Sequence, residues 1–210
     1  MKNSKLPIIV VILFALGTAI YFYPLLPERL ASHWDMQGTV DGYMGKFWGL
    51  FLVPLLMVVF TGFFYLIPKI DPEKKNIEKF KGTFESFILV FNLFMLYVYI
   101  LTILWNIGYS INMTSSLMPA LAFLFYFMGY MMSKVKRNYM IGIRLPWTLA
   151  SDVVWDKTHK LGEKLFKLTG LVTLFGMFFN QYAFCFLFFP IIISTTYLFI
   201  YSYLEYQKVK

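Results

Sequence analysis

Cysteine and charge are what this sequence has least of. Its one cysteine, Cys185, lies in an apolar run, so no internal disulfide can form and cysteine usage says nothing about redox compartment. Charged residues make up 14% of the 210, against about a quarter in soluble domains, and that scarcity points to a membrane protein. Internal repeats, low-complexity tracts and long linkers are missing too, which leaves one integral unit. What is present is oil, 59% hydrophobic residues and 21% aromatic ones. A helical crossing takes roughly 20 apolar residues, so there is room for about six.

Six apolar segments can be read, at 6–26, 47–67, 86–105, 116–132, 165–179 and 183–203. The fourth and fifth are short. Pro119 suits the first turn of a helix, so Ser115 or Ser116 is the expected cap of the fourth. The fifth should continue a helix that begins earlier, with Lys164 and Lys167 snorkelling to the interface. The first is longer than a signal-peptide core and no small-x-small site follows it, so an uncleaved span is expected.

Charge sets the direction. Of the 19 basic residues, 17 fall in the N-terminal tail (Lys2, Lys5), the loops after segments two and four, and the C-terminus. Only Arg29 and Lys46 fall on the other side. The same distribution explains the net charge of +8 without direct nucleic-acid binding. The expectation is an all-α, polytopic membrane protein with six transmembrane helices and both termini cytoplasmic. Residues 27–46 would form an outer loop and residues 133–164 a cytoplasmic region.

The spans lack the buried ionisable groups that transporters and proton pumps use. None of the first four has an Asp, Glu, Lys, Arg or His near its centre; Glu85 and Glu205 sit at or beyond span ends. Asn92 is the main deep polar side chain, expected to link helices through a hydrogen bond worth about 1 kcal/mol. A transporter or channel using Asn92 and the interfacial carboxylates stays as the alternative function.

Polar pattern collects in two places. The outer stretch YPLLPERLASHWDMQGTVDGYMGKFW (23–48) carries His33, Asp35 and Asp41, which could coordinate a metal, but their spacing matches no standard site. The expectation is an ordered interfacial loop, re-entrant or helical. Trp34, Tyr43 and Trp48 would sit at headgroup level, with Gly38 and Gly42 as turn residues.

The inner stretch IGIRLPWTLASDVVWDKTH (141–159) is richer. Pro146 should hold Leu145 extended, and Ser151 should cap a long helix running into the fifth segment. On that helix Asp152, Asp156, His159 and Glu163 share a face. A metal or proton-transfer site would use such a stripe. A solvated face looks the same, with Asp156–Lys160 and Glu163–Lys167 as i,i+4 pairs, and no second helix offers matching ligands. The solvated face is the expectation, and a metal-dependent membrane enzyme the third function. Arg144 could clamp an acidic group or pair with Asp152, and Trp147 and Trp155 fit an inner aromatic belt or a recognition surface.

Two motifs carry a resemblance. LPERLASHWDMQGTVDGYMGK (26–46) resembles the P…HW…G…DGY..K pattern of an uncharacterised N-terminal membrane domain. IGIRLPWTLASDVVWDKTHKLG (141–162) looks like the signature of the SdpI family, IGIRTPWTL…VW…TH, with Leu145 where Thr is usual. The resemblance covers essentially the whole chain. It implies a non-enzymatic membrane immunity protein against a secreted peptide toxin, without cofactor or metal. It also implies signalling inward by holding a soluble repressor at the membrane. Its family positions would be Gly142, Arg144, Pro146, Trp147, Thr148, Trp155 and His159 inside. Outside they would be Pro27, His33, Trp34, Gly38, Asp41, Gly42 and Lys46, and these two sets are the candidate ligand and partner sites.

Overall fold

The computed structural model describes residues 5–210; Lys2 lies outside them. In hydrocarbon every backbone N–H and C=O must be satisfied within the segment, so the apolar runs become helices. The elements are α1 (Lys5–Phe22), β1 (Arg29–Trp34), β2 (Val40–Gly45), α2 (Lys46–Ile70), α3 (Lys74–Glu78), α4 (Lys81–Asn106), α5 (Met113–Met132), α6 (Pro146–Ala150), α7 (Asp152–Phe175) and α8 (Cys185–Gln207). The chain is an all-α polytopic membrane protein but for one β-hairpin. Helices α1, α2, α4 and α5, with a stretch from Asn180 to Gln207 that contains α8, are long and apolar enough to cross a membrane.

Most of the helices run past the apolar segments, since a helix continues where the oil stops. The 26 residues of α4 span about 39 Å, more than a hydrocarbon core. Helix α5 begins earlier than expected because Asn112, not Ser115 or Ser116, caps it, its side chain accepting from the Ser115 N–H at 2.9 Å. Pro119 therefore sits in the second turn.

Helix α7 is one continuous element, as the sequence implies, with Ser151 capping it. It runs antiparallel to α5 along almost all of it. Gly129 lies against the backbone of Glu163 and Lys167, Gly170 against Ala122 and Tyr126, and Gly176 against Met118. Small residues let the two backbones approach closely.

Helices α1, α2 and α4 pack together, as do α5, α7 and α8, and α4 meets α5 between the groups. Ala15, Ala19, Leu30, Leu50, Met57 and Tyr99 form a core belonging to the first half alone. A second core draws Ile8, Ile67, Ile88, Val135, Ile141 and Trp155 from both halves. Asn92 is fully buried at the first half's interior, and its amide donates to Thr61 Oγ1 and the Ile88 carbonyl, both at 2.9 Å. It links helices, as expected.

The basic loops gather at one end. Asn76 donates to the Arg137 carbonyl at 2.9 Å, Lys157 lies 2.6 Å from Glu205, and Lys5 sits over the Tyr65 ring. At the other end the hairpin meets the start of α5, where Thr114 Oγ1 donates to the Asp35 carbonyl.

Candidate functional site

The inner stretch folds as a strap between the ends of α5 and α7. Asn138 shapes its turn: Oδ1 accepts from the N–H groups of Met140 and Ile141 at 2.9 and 2.6 Å, and the amide donates to the carbonyls of Lys136 and Ile141. An Asn side chain mimics backbone in this way, which is why Asn punctuates turns. Gly142 follows with φ +108°, a conformation L side chains rarely adopt. A Cβ there would lie 2.5 Å from His159 Nε2.

That bare backbone admits the imidazole. Ile143 N–H donates to His159 Nε2 at 3.0 Å, and Nδ1–H donates to the Trp155 carbonyl at 2.8 Å. With one nitrogen accepting and the other donating, His159 is neutral. Its ring stacks on the Trp155 indole at 4.0 Å, and Trp155 Nε1 donates to the Val135 carbonyl at 3.1 Å.

Leu145 is extended before Pro146, as a proline demands, and Pro146 opens the short helix α6. Thr148 Oγ1 accepts from Leu145 N–H and donates to the Ile143 carbonyl, each at 2.8 Å. Trp147 reaches α8, where Nε1 donates to Ser202 Oγ at 2.7 Å and the ring meets Phe199 and Tyr203 edge-on. The strap also grips the α2–α4 loop, since Asp71 accepts from the N–H groups of Tyr139 and Glu73.

Several expectations change here. Trp155 is fully buried and forms no aromatic belt; Trp147 is half-buried and bonded to α8. His159 is 2% exposed and turns away from the solvated face it was read into, covered by the strap, whereas Asp152 and Asp156 on the same stripe are exposed as expected. Asp152 pairs with Arg137 at 2.5 Å, not with Arg144; Arg137 also donates to the Leu149 carbonyl, which holds it beside the start of α7. Asp156 pairs with Lys136 at 3.5 Å in place of Lys160, whereas Glu163–Lys167 forms as expected.

Arg144 is exposed and donates to the Tyr139 carbonyl at 2.8 Å; Pro146 is exposed as well. Thr148, Trp155 and His159 are buried, so they hold the strap while Arg144 and Pro146 are what it presents. Asp71, Arg137, Asn138, Ser202 and Glu205 hold the same site, and the sequence pattern does not single them out as site residues. Only Asn138, which interrupts a basic run, carried a local signal. Lys157 and Lys208 flank the buried Glu205 carboxylate and pair with it.

Burial lowers the His159 pKa from 6.5 to about 4. The unfolded chain therefore takes up a proton near pH 6.5 while the folded one resists until about 4. Stability contributed by neutral His159 is complete above pH 6.5, falls as pH drops through that window, and is flat below it. The expected result is a melting temperature that declines between pH 6.5 and 4, in thermal unfolding of detergent-solubilised protein. In His159→Gln that part of the slope should vanish.

At the other end, residues 29–45 form an antiparallel β-hairpin, where a re-entrant or helical loop was expected. Gly38, with φ +85°, makes the turn, and Asp35 accepts there from Gln37 and Thr39 N–H. Gly42 is no turn residue: it lies in β2 opposite His33, where a side chain would strike the His33 Cβ. Asn106 docks β1 as a neighbouring strand would, accepting from Ala31 N–H at 2.9 Å and donating to the Ala31 carbonyl at 3.1 Å.

Asn106→Leu would leave both buried Ala31 groups unpaired, at about 1–3 kcal/mol each. Faster hydrogen exchange confined to residues 29–45, with helical content unchanged, is the expected outcome.

His33 Nδ1 lies 2.5 Å from Asp41 in an exposed pair, and Lys46 pairs with Glu28 at 2.8 Å beneath the Tyr23 ring. Trp34 turns inward against Trp105 rather than to the headgroups. Asp35, bound up in its own turn, does not join His33 and Asp41, and no three His, Cys, Asp or Glu converge on a metal position among the described residues.

Comparison with known proteins fits this two-ended layout. Residues 10–58 match a family described as a domain of unknown function, DUF1648, and residues 134–202 match the SdpI/YfhL protein family. The first match spans the hairpin and its flanking helices; the second runs from the strap through most of α8. The chain is 24% identical over 210 residues to Immunity protein SdpI of Bacillus subtilis (strain 168), covering 100% of this chain and 98% of that one. It is also 40% identical over 43 residues to the uncharacterised membrane protein YbgB of the same organism, 20% of this chain and 47% of that one. No solved structure matches.

Proposed function

We propose that this chain, a member of the SdpI/YfhL family, is a membrane immunity protein that meets an apolar secreted peptide at its hairpin end and responds through the strap. What carries the reading is the end-to-end similarity to Immunity protein SdpI, which includes both patterned ends. In this reading the helix bundle crosses six times, α7 serving as the fifth crossing beside α5. Both termini face the cytoplasm, because the end that collects Lys69 to Lys81, Lys134 to Arg144 and Lys208 is the one the positive-inside rule keeps there.

The two ends have different work. The hairpin rests on α2, α4 and the start of α5, so a ligand there touches both helix groups. The strap bonds to the α2–α4 loop through Asp71 and to α8 through Trp147, so it also spans them. A shift of one group against the other would reposition Arg144 and Pro146, where a soluble repressor would dock. Asn92 has its hydrogen bonds inside the protein, which supports a structural rather than a transport role.

The test is protection. A sensitive host expressing this chain should survive the secreted peptide encoded beside its gene; unchanged killing by every such peptide would remove the reading. Arg144→Ala removes an exposed guanidinium and should change stability by no more than about 0.5 kcal/mol. Loss of repressor recruitment in that well-folded variant would report a partner contact at the strap.

A further inference from the structure

A polar cavity of about 270 Å³ opens between α5 and α7 at the basic end of the bundle. Ser133 and Lys136 line one side; Asp156, Lys160 and Glu163 line the other. His159 reaches its edge, but both ring nitrogens are engaged and the imidazole is neutral. Ser133 Oγ is spent on the Tyr130 carbonyl, to which it donates at 2.9 Å. The carboxylates are taken too. Asp156 pairs with Lys136 at 3.5 Å and Glu163 with Lys167 at 2.5 Å.

Two ammoniums are left without a carboxylate among the described residues, Lys160 in the cavity and Lys134 beside it. Lys134 and Lys167 approach the same Tyr130 ring, each with Nζ 6.0 Å from its centre, so the cations converge from both helices. Lys134, Lys136, Lys160 and Lys167 against Asp156 and Glu163 leave an excess of positive charge. An anion seated between the helices would offset that repulsion. Charge therefore selects an anionic ligand.

The surroundings select what carries the anion. Leading away from the cavity, α5 presents Tyr130, Tyr126 and Phe123 in successive turns, all exposed on a helix long and apolar enough to cross a membrane. Lys167 Nζ also lies 5.8 Å from the Tyr126 ring. Tyrosines collect where hydrocarbon gives way to headgroups. A soluble anion would use the cavity and leave the aromatic strip bare. A phospholipid would fill the one with phosphate and cover the other with acyl chain, as basic pockets between spans do for headgroups.

We infer that this cavity holds the phosphate of an anionic phospholipid between Lys160 and Lys134, its acyl chains lying along Tyr126 and Phe123. The inference goes beyond the immunity reading and does not depend on which side of the membrane the basic end faces.

The experiment titrates the full chain, delipidated in detergent, with phosphatidylglycerol or with phosphatidylcholine of the same acyl chains. Bound lipids are counted by native mass spectrometry. Phosphatidylglycerol should bind at least fivefold more tightly, the effect of about one lysine at a membrane surface. Lys160→Gln should weaken phosphatidylglycerol about three- to tenfold and leave phosphatidylcholine unchanged. Lys75→Gln, exposed in α3 at the same end, controls for general positive charge and should change neither. Diazirine-bearing phosphatidylglycerol in nanodiscs should label residues 126–136 and 156–167.

Each variant's melting temperature without lipid checks its fold; should Lys160→Gln not fold, Lys134→Gln decides. Equal affinity for the two lipids would overturn the site. Equal losses in Lys160→Gln and Lys75→Gln would overturn it too, leaving a diffusely basic surface. Displacement of the lipid by excess glycerol phosphate would also overturn it, by giving the cavity to a free phosphate.

Discussion

Trp155→Ala is expected to cost about 3–5 kcal/mol, the range for deleting a buried aromatic side chain. The indole is the largest fully buried side chain among the described residues and sits in the core shared by both helix groups. Its removal takes away the stack on His159, the hydrogen bond to the Val135 carbonyl and the contacts to Ile141 together. Because the first half has a second core of its own, α1, α2 and α4 should keep their packing. Unfolding should then split into two transitions, seen as early exchange in residues 133–164 with late exchange in α1 and α4. Trp155→Phe keeps a stacking ring and should lose far less. A single cooperative transition unchanged from wild type in Trp155→Ala would show that the indole does not join the halves.

Gly142→Ala should be among the costliest single-methyl changes in the described residues. The positive φ alone costs about 1–3 kcal/mol for a residue with a Cβ, and the new methyl would stand 2.5 Å from His159 Nε2. Either the strap or the imidazole must give way, and the Ile143–His159 hydrogen bond is lost in both cases. The signature separates this from general damage: the pH dependence between 6.5 and 4 should weaken along with stability, as His159 regains solvent. Gly62→Ala is the matched control, since a Cβ there meets nothing within 4 Å. Comparable losses in both variants would mean that the tight passage at Gly142 does not matter.

The fold was largely legible because lipid leaves few options. Runs without charge had to be helices, and Ser151 ahead of Asp152 marked the start of α7 correctly. The hairpin was hidden for a physical reason. Its strands are six residues each, interrupted by Gly42, and held in place by Asn106, which lies 75 residues away in the chain. No local pattern can announce such a partner. The inner site was half legible: Pro146 and His159 stood out by type and Gly142 through the resemblance, but whether an aromatic or imidazole faces lipid, water or core depends on the strap folding over α7. Trp155 and His159 were therefore placed on surfaces they do not occupy. Asp71 and Ser202 looked like ordinary loop and helix residues until their partners arrived from elsewhere.

The Trp147–Ser202 bond has a consequence for biosynthesis. During synthesis the hairpin, α1, α2 and α4 leave the ribosome first and already hold one finished core. The strap emerges after α5, with Asp71 already in place, but its anchor on α8 is made some 55 residues later. Until then the Trp147 indole N–H has no Ser202 to bond, so closure of the strap waits on the last helix.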